Sequence, residues 1–467
     1  MLSKSDFLTY LDAPMHLWAK VHDKGDVKIP TPYEQHLIQQ GQHVENLAKT
    51  YIEIEVLNRY EDAQLLWQAS YDDGRFTMRA DALIWDRATQ VYDLFEIKSA
   101  SSIHTEHEYD LAFQVLLLES ILTLRHNFII HINKAYQHGD SLDLAQFFTL
   151  EEVSYKVQRR RQNVAQFRQE AWQVAQLDHP EPSFACIKPQ TCPCPNLCHP
   201  ALPQYPVYDL PYIGKKATQL REMGITTIED IPDIFDLNPK QRKYVQVVKS
   251  RQPIIDRRII RQSLSELQFP LYFLDYETFN PALPLFANSH PYQHIVFQYS
   301  LVILRNPQAT PKSIDFLFTD HEDPSPRFAA HLLSHLGPSG SVVVWNKSFE
   351  ASRNKELAQH CPERAYDLLG INERLFDLMR IFRDGFYVHP AFHGSASLKT
   401  VLPVLCPELG YEDLRISSGE EASLTWYHLQ KGIIPVEKQA KYESAMKTYC
   451  HNDTYGLYAI WKHLHVL

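Results

Sequence analysis

Apolar positions along the chain follow two kinds of spacing, which together predict a mixed α/β protein. YEQHLIQQGQHVENLAKTYIE (33–53) places apolar residues three and four apart, as on one face of a helix. GRFTMRADALIWD (74–86) and QVYDLFEIKSA (90–100) predict two neighbouring strands joined by a turn. EHEYDLAFQVLLLESILTL (106–124) predicts a long apolar helix, and NFIIHINKAY (127–136) predicts a further strand.

Proline and cysteine interrupt this pattern from residue 178 to 206, where DHPEPSFACIKPQTCPCPNLCHPALPQYP predicts a stretch without regular structure. Helical spacing follows, and alternating strands and helices resume at residue 269. A chain of 467 residues also exceeds the size at which a single core stops growing. We therefore predict three segments: an N-terminal domain over 1–204, a short helical linker over 205–267 and a second α/β domain over 268–467.

The composition is that of a folded protein, with 44% hydrophobic and 12% aromatic residues. The net charge of −10 argues against a protein that coats nucleic acid by bulk electrostatics, but it does not exclude a nuclease that clusters acids at a metal site. The start, MLSKSDFLTYLDAPMHLW, lacks the apolar segment of a signal peptide, and no apolar run is long enough to predict a membrane span. We expect a cytoplasmic protein with no membrane partner.

Polar residues near the two N-terminal strands form the first candidate site. Glu96 and Lys98 lie two apart and share one face of their strand, and Asp81 comes from the strand before. Asp81 and Glu96 offer hard oxygen ligands to a divalent metal, and Lys98 would stabilise charge developing on a phosphate. Glu45 on the preceding helix would complete the ligand set, and Gln114 on the following helix would orient the site. A Glu-x-Lys triplet alone is more often a solvated strand face, so the prediction of a metal site depends on the order of all five residues.

That order, helix Glu, strand Asp, strand Glu-x-Lys and helix Gln, resembles the PD-(D/E)XK nuclease superfamily in its RecB-like exonuclease branch, over roughly residues 1 to 200. The resemblance implies Mg²⁺- or Mn²⁺-dependent hydrolysis of phosphodiester bonds, with Asp81, Glu96 and Lys98 as the core and Glu45 as the helical acid. Many relatives carry histidine at the position of Glu45, which still offers a metal ligand.

Four cysteines, Cys186, Cys192, Cys194 and Cys198, crowd into the stretch CIKPQTCPCPNLC. Four thiolates this close would ligate an iron–sulfur cluster or Zn²⁺, and free thiols in a coil are the plain alternative. RecB-like exonucleases with a cluster typically place one cysteine ahead of the nuclease core, but Ala13 stands there in this chain. The resemblance therefore implies that the remote ligand is absent and that Cys194 replaces it. We favour an iron–sulfur cluster over zinc, in a structural role.

The middle segment, DLPYIGKKATQLREMGITTIEDIPDIF (209–235), looks like a helix-hairpin-helix element. In such elements, backbone amides near a glycine turn and nearby lysines meet phosphates. Gly214, Lys215 and Lys216 would make these contacts with nucleic acid. A helical linker with a solvated basic face explains the same residues equally well.

A second constellation begins at FPLYFLDYETFN (269–280), where an apolar strand is predicted to end in Asp275 and Glu277. SVVVWNKSFEASRNKEL carries Glu350 after another apolar strand, and AMKTYCHNDTYGLYAIW places Tyr449 and Asp453 four apart on a helix. These three elements resemble the DEDD exonucleases of the ribonuclease H-like fold, in the subgroup with tyrosine in the third motif.

The DEDD resemblance implies two divalent metals held by Asp275, Glu277, Asp453 and Glu350, with Tyr449 orienting the attacking water. Glu350 stands where relatives normally carry aspartate. The whole chain is similar to a bacterial family in which a RecB-like nuclease precedes such an exonuclease-like domain.

We therefore expect a metal-dependent nuclease, exonucleolytic on DNA or RNA, with two candidate active sites. The N-terminal site is favoured because its ligand set is complete. The alternatives are a nucleic-acid-binding or assembly protein whose nuclease folds have lost turnover, and an RNA-processing 3′–5′ exoribonuclease. No phosphate-binding G-x-x-x-x-G-K-[ST] loop is present, so a helicase would have to be a separate partner.

Overall fold

Residues 1–26, 28–180 and 183–467 are described by the structure, which is a computed structural model. The chain divides into two units. Unit 1 comprises residues 1–202 and 281–293, and unit 2 comprises residues 203–280 and 294–467. The predicted linker segment thus groups with the C-terminal region, and a short stretch of the predicted third segment groups with unit 1.

Unit 1 contains eight named strands and seven α-helices within its described residues. The strands are β1 (Leu2–Ser3), β2 (Ala63–Trp67), β3 (Ser70–Asp72), β4 (Phe76–Arg79), β5 (Ala82–Asp86), β6 (Val91–Lys98), β7 (Leu124–Ile132) and β8 (Phe148–Glu152). The helices are α1 (Lys4–Asp12), α2 (Pro14–Val21), α3 (Pro32–Tyr51), α4 (Thr105–Leu118), α5 (Leu144–Phe147), α6 (Ser154–Ala175) and α7 (Pro195–Cys198).

The main sheet of unit 1 has the strand order β2-β5-β6-β7-β8. β6 and β7 are parallel, and the other neighbours are antiparallel. One face packs against α4 and α6 through residues such as Leu94 and Leu111. The other face packs against α3, and Ala282 from the 281–293 stretch joins the core there. Because strand residues alternate between faces, β6 contributes apolar side chains to the core on each face of the sheet. For the same reason, the side chains of Glu96 and Lys98 lie on one face.

Unit 2 contains seven named strands and ten α-helices. The strands are β9 (Ile254–Ile255), β10 (Leu271–Phe279), β11 (Ile295–Leu304), β12 (Lys312–Leu317), β13 (Val342–Val344), β14 (Leu375–Asp377) and β15 (Tyr387–Val388). The helices are α8 (Lys216–Glu222), α9 (Pro239–Ser250), α10 (Arg257–Leu264), α11 (Ser325–His335), α12 (Lys347–His360), α13 (Ala365–Asn372), α14 (Arg380–Arg383), α15 (Leu398–Leu405), α16 (Gly419–Gln430) and α17 (Val436–His465).

The main sheet of unit 2 has the order β12-β11-β10-β13-β14. β10, β11 and β12 are antiparallel to one another, whereas β13 and β14 run parallel to β10. α10, α15 and α17 contribute to the core on one face, and α11, α12 and α13 contribute to the core on the other. β10 is therefore a central strand covered on both faces, which explains its nearly continuous apolar run.

The mixed α/β class predicted from the sequence is confirmed, with three local differences. β10 continues through Asp275 and Glu277 to Phe279, so the two acids lie within the strand and not at its end. α4 ends at Leu118, before the predicted end of that helix. The cysteine-rich stretch was predicted to be irregular throughout, but Pro195–Cys198 forms a short helix; residues 181 and 182 of that stretch lie outside the described residues.

No helix in the described part of the chain combines the length and the apolar character that crossing a membrane requires.

Candidate functional site

The N-terminal polar cluster lies where β6, α4 and α1 meet. Oε1 of Glu96 accepts hydrogen bonds from Nζ of Lys98 and Nζ of Lys4, each at 2.8 Å. Oε2 of Glu96 accepts from Nε2 of Gln114 at 2.7 Å. Asp110, one helical turn before Gln114, accepts from Nζ of Lys98 at 2.5 Å and lies 3.2 Å from Nζ of Lys4. Two buried carboxylates are thus paired with two ammonium groups.

This pairing sets the protonation of the cluster. Burial acts to raise the pKa of Glu96, but the charges of Lys98 and Lys4 and the hydrogen bond from Gln114 outweigh it, and the pKa lies below its usual range. Burial acts to lower the pKa of Lys98, but the charges of Glu96 and Asp110 raise it above its usual range. Glu96 and Lys98 are therefore ionised as a pair.

Asp81 lies beside this cluster, whereas the contacts of Glu45 are with other residues. The backbone N–H of Ile97 donates to Oδ2 of Asp81 at 2.9 Å. Burial, followed by the charge of Glu96, raises the pKa of Asp81 to about 7. The carboxylate of Glu45 accepts hydrogen bonds from Lys49 at 2.7 Å and from Gln68 at 3.2 Å. Glu45, Asp81 and Glu96 do not form a group with all ligand atoms within 4.8 Å among the described residues, so their joint role as metal ligands stays a prediction.

Sequence reasoning missed Lys4 and Asp110. Asp110 had a usable signal, because a buried-looking acid four residues before Gln114 lies on the same helix face. Lys4 had none, since 92 residues separate it from Glu96. Lys98 and Asp110 also line an open cleft of about 830 Å³ together with Tyr109 and Phe167. The N-terminal cluster is therefore accessible from a groove.

The cysteine-rich stretch gathers a candidate metal centre around α2. His16, Cys186, Cys192 and Cys198 place one ligand atom each within 4.8 Å of one another. Nε2 of His16 lies 3.5 Å from the sulfur of Cys192, and Nδ1 of His16 lies 2.6 Å from Oδ2 of Asp12. The hydrogen bond from Cys198 is the largest influence on the pKa of Cys186, which falls to about 2 against the effect of burial. One imidazole and three sulfurs therefore form a set suited to a metal ion.

The expectation that Cys194 replaces a remote ligand stays a prediction, but the structure offers a different candidate. His16, three residues after Ala13, places a ring nitrogen within 4.8 Å of the sulfurs of Cys186, Cys192 and Cys198. Cys194, predicted as the replacement, lies beside the group, with its sulfur 3.6 Å from that of Cys198 and 3.9 Å from the carbonyl oxygen of Met15. Sequence reasoning missed His16 because it searched the N-terminal segment for a cysteine, although a histidine there offers an equivalent ligand.

The C-terminal acids gather around the centre of β10. Asp275 and Glu277 share one face of the strand, and ligand atoms of both lie within 4.8 Å of the sulfur of Cys450 on α17. Asp453, one turn further along α17, is 7% exposed, as is Glu277. The structure thus brings three of the predicted acids together and adds a thiol that sequence reasoning missed.

Burial and mutual repulsion dominate the electrostatics of these acids. Burial, followed by the charge of Asp453, raises the pKa of Glu277 to about 8, against the opposing charge of Lys399. Burial raises the pKa of Asp453 to about 6, although the hydrogen bond from Tyr411 and the charge of Lys399 act in the opposite direction. Burial and the charges of its acidic neighbours raise the pKa of Asp275 well above its usual range. These three carboxyl groups outnumber Lys399, the cation that acts on Glu277 and Asp453, so its charge cannot balance all of theirs.

Glu350 and Tyr449 occupy the places that the sequence predicted for them on α12 and α17. Glu350 is 2% exposed, its Oε2 atom has no hydrogen-bond partner, and burial raises its pKa to about 8. Tyr449 is 3% exposed and hydrogen-bonds to Asp453. The hydroxyl group of Tyr411 also donates to Oδ1 of Asp453. Nζ of Lys399 lies 5.4 Å from the ring centre of Tyr449, so both Lys399 and Tyr411 belong to this site although no sequence pattern marked them.

The predicted phosphate-binding turn lies in unit 2 ahead of α8. Gly214 adopts a left-handed conformation with φ of 51°, which suits glycine. Lys215 caps the helix and is exposed, whereas Nζ of Lys216 is bound by the carbonyl oxygen of Asp236 at 2.6 Å and by its carboxylate at 2.8 Å. Lys215 therefore remains available to a phosphate, and Lys216 is already engaged.

Comparison with known proteins returns relatives that are themselves described as uncharacterized. The family described as "Domain of unknown function (DUF2779)" matches residues 272–397. Uncharacterized protein UU173 of Ureaplasma parvum is 27% identical over 282 residues, which cover 55% of this chain and 40% of that protein. Uncharacterized protein MG366 of Mycoplasma genitalium is 25% identical over 218 residues, covering 43% of this chain and 32% of that protein. The matched region thus spans less than half the length of each relative. No solved structure matches the chain significantly.

Proposed function

We propose that this chain is a metal-dependent nuclease that hydrolyses phosphodiester bonds of DNA or RNA, with the acids around β10 as its principal metal site. The observation that carries the proposal is the gathering of the half-buried Asp275 with the buried Glu277 and Asp453, where Lys399 is the cation that acts on Glu277. Like charges gathered in a poorly solvated place are stable only when protonated or when a cation balances them.

The donor set fits Mg²⁺ or Mn²⁺. Both ions prefer carboxylate oxygens, and Oε2 of Glu350 is a buried acceptor without a partner that favours a cation nearby. Asp275, Glu277, Asp453 and Glu350 would hold the ions. Bound ions of this kind activate water and neutralise charge on the phosphate that is attacked.

The chain's own residues supply the remaining functions. Tyr449 and Tyr411 hold the carboxylate of Asp453 by hydrogen bonds and so fix its orientation. Tyr449 is also suited to orient a water molecule beside that carboxylate. Lys399, exposed and close to both tyrosine rings, offers positive charge to a phosphate group that approaches the acids.

The position of the acids in unit 2 supports the ribonuclease H-like resemblance. Asp275 and Glu277 lie on the central strand, Glu350 lies in the first turn of the helix after β13, and Asp453 lies on the last helix. A mixed sheet with three antiparallel strands and two parallel ones surrounds them. In the same way, the mixed sheet of unit 1 with Glu96 and Lys98 on β6 supports the PD-(D/E)XK resemblance.

A second candidate function, nucleic-acid binding without turnover, is favoured for unit 1 by a specific contact. Lys4 and Lys98 already balance the charges of Glu96 and Asp110. A metal ion entering there would have to displace an ammonium group from Glu96, which costs the ion pair that keeps this buried carboxylate stable. We therefore place less weight on the N-terminal site than the sequence alone suggested.

For the cysteine-rich stretch we propose a structural metal held by His16, Cys186, Cys192 and Cys198. Three thiolates and one imidazole are a common donor set for structural Zn²⁺, whereas iron–sulfur clusters mostly use four cysteines. We therefore favour zinc here over the iron–sulfur cluster expected from the sequence. Such an ion would join α2 to the loop that ends in α7.

The test is cleavage of labelled single- and double-stranded DNA and RNA in Mg²⁺ or Mn²⁺, with chelator as blank. Asp275→Asn keeps the side-chain shape and removes one charge, so we expect a loss of activity of about 100-fold or more. Lys98→Ala probes unit 1, and Asp367→Asn, at an exposed position on α13, is the matched control.

Full activity in the control and in Lys98→Ala, with loss in Asp275→Asn, supports the site around β10. Loss in Lys98→Ala alone would move the active site to unit 1. Unchanged activity in both variants, or no cleavage by the parent protein, would reject the proposal.

A further inference from the structure

A cleft of about 860 Å³ on unit 2 lies between α10, α12 and the end of β14. Cationic side chains from three helices line it: Arg258 of α10, Lys347 and Lys355 of α12, and Arg380 of α14. Two acids, Glu266 and Asp377, also line it, and the carboxylate of Asp377 lies 3.2 Å from Nη2 of Arg383. The cleft is therefore positively charged in a chain whose net charge is −10.

Three of these cations have no partner within the described residues. Arg258, Lys347 and Lys355 make no side-chain hydrogen bond or ion pair there, and all three are exposed. Lys249 of unit 2, by contrast, donates to the carbonyl oxygen of Ile231 at 2.9 Å. Unpaired cations that face one groove indicate a site for an anionic ligand.

The spacing of these groups fits an extended ligand. Lys347, Ala351 and Lys355 recur every four residues and so lie on one face of α12. Eight residues of helix advance by about 12 Å, which is the length of several phosphates along a nucleic-acid strand.

The cleft also offers aromatic surface. The half-buried rings of Phe376 and Phe386 form part of its wall. A basic groove beside aromatic rings is the arrangement with which proteins bind single strands, because phosphates meet the cations and bases stack on the rings. The volume is in the range of sites that take one ligand of moderate size, which suits a few nucleotides.

The helix that lines the cleft also carries one of the proposed metal ligands. Lys347 lines the cleft, and Glu350, which is 2% exposed, lies one turn further along α12. A strand held in the cleft therefore lies against the helix that presents Glu350.

We propose that this cleft binds the sugar–phosphate backbone of a single nucleic-acid strand, with Arg258, Lys347 and Lys355 contacting phosphates and Phe376 and Phe386 stacking against bases. The proposal rests on the proposed function for the choice of nucleic acid over other polyanions. It identifies a single strand, DNA or RNA, as the form of nucleic acid that unit 2 holds.

The experiment measures binding separately from cleavage. Fluorescence anisotropy in chelator follows the full chain binding to labelled dT20, rU20 and a 20-base-pair duplex over a series of salt concentrations. The variant Lys347→Ala/Lys355→Ala is compared with the control Lys438→Ala/Lys441→Ala, which removes two exposed lysines of α17. Far-UV circular dichroism and melting curves check that both variants fold.

We expect the cleft variant to bind single strands at least about tenfold more weakly than the parent. The slope of log affinity against log salt concentration should become shallower by about one per lysine removed. The control should match the parent within about twofold. A photo-crosslink from a 4-thiouridine oligomer should map to the peptides that carry Phe376 or Phe386.

Equal affinity of the cleft variant and the parent would overturn the proposal, as would a preference for the duplex. Binding of inorganic polyphosphate or an acidic peptide in place of either oligonucleotide would overturn it too. A different result would overturn the proposed function, namely that the parent protein does not cleave nucleic acid in Mg²⁺ or Mn²⁺. That result would leave the binding measurement valid.

Discussion

Nε2 of His16 lies 3.5 Å from the sulfur of Cys192, although 176 residues separate the two in the chain. The carboxylate of Asp12, 2.6 Å from Nδ1 of His16, is placed to accept a hydrogen bond from that nitrogen, in the tautomer that leaves Nε2 to face the sulfurs. This second contact is typical of histidines that bind metals. The N-terminal helices and the cysteine-rich stretch therefore supply the candidate metal ligands together.

The first prediction concerns the metal content of this centre. His16→Ala and Cys192→Ser should each lose the bound metal, because each removes one of four ligands, whereas Cys194→Ser should keep it. Metal analysis of the purified proteins measures the content. Absorption in the visible range separates an iron–sulfur cluster from zinc, whose ion has a filled d shell and no colour. Loss of metal in Cys194→Ser, with retention in His16→Ala, would restore the four-cysteine assignment.

The second prediction concerns pH and the acids around β10. The folded pKa of Glu277 is about 8, against 4.5 for a free glutamate, so the folded metal-free protein binds more protons than the unfolded chain between these values. Stability must then fall as pH rises through this window. In chelator at pH 8, Glu277→Gln should be more stable than the parent by at least about 1 kcal/mol, or roughly 2–4 °C in melting temperature.

The melting curves of Glu277→Gln are compared at pH 5 and pH 8, with and without Mg²⁺ or Mn²⁺. The metal should stabilise the parent at pH 8 and have little effect on the variant. Glu373→Gln, at an exposed position after α13, is the control and should follow the parent. Parallel pH dependence in the parent and Glu277→Gln would show that this carboxyl group does not titrate as described.

Local patterns in the sequence predicted much of each site. The period of two along a strand placed Glu96 and Lys98 on one face, and the structure joins them by a hydrogen bond of 2.8 Å. The same rule put Asp275 and Glu277 together, and the period of a helix put Asp453 one turn from Tyr449. These relationships are set by backbone geometry over a few residues, which is why a single sequence reveals them.

The site residues that the sequence did not predict are those whose contacts depend on tertiary folding. Lys4 reaches Glu96 from the first helix, and Tyr411 reaches Asp453 from a loop, so no spacing in the sequence marks either. The position of Asp275 within β10 was also misjudged. A central strand covered on both faces tolerates acids in its interior when they share a site, whereas an apolar run followed by acids reads locally as a strand end.

The third prediction tests the ion pairs of the N-terminal cluster. Lys4→Ala leaves Glu96 and Asp110 with Lys98 as their remaining ammonium partner, so it should destabilise unit 1 by about 1–3 kcal/mol. If the cluster holds a divalent ion, millimolar Mg²⁺ or Mn²⁺ should restore part of this loss.

Lys20→Ala is the control, because Lys20 pairs with Asp6 at a site where its side chain is 46% exposed. Such a surface pair contributes little, and its loss should cost less than about 1 kcal/mol. A stability of Lys4→Ala equal to that of Lys20→Ala would contradict the buried pairing.

The fourth prediction concerns Tyr411, whose hydroxyl group donates to Asp453. Tyr411→Phe removes that donor and leaves the ring, so Asp453 loses a contact that lowers its pKa and fixes its carboxylate. Partners that orient a metal ligand are worth about 10–100-fold in activity or metal affinity, and we expect a loss in this range. The loss should be larger at pH 6 than at pH 8, because a higher pKa of Asp453 keeps more of the carboxyl group protonated at the lower pH.

Cleavage rates of Tyr411→Phe across this pH range, at saturating and at limiting Mn²⁺, provide the measurement. If saturating Mn²⁺ restores the cleavage rate of Tyr411→Phe, Tyr411 acts by positioning the metal ligand Asp453. A merely structural role would lower the rate equally at both pH values and at both metal concentrations. Tyr366→Phe removes a hydroxyl group from a side chain of α13 that is 90% exposed and should leave the rate unchanged. A Tyr411→Phe protein with the parent's rate, pH profile and metal dependence would separate Asp453 from the reaction and weaken the assignment of the acids around β10.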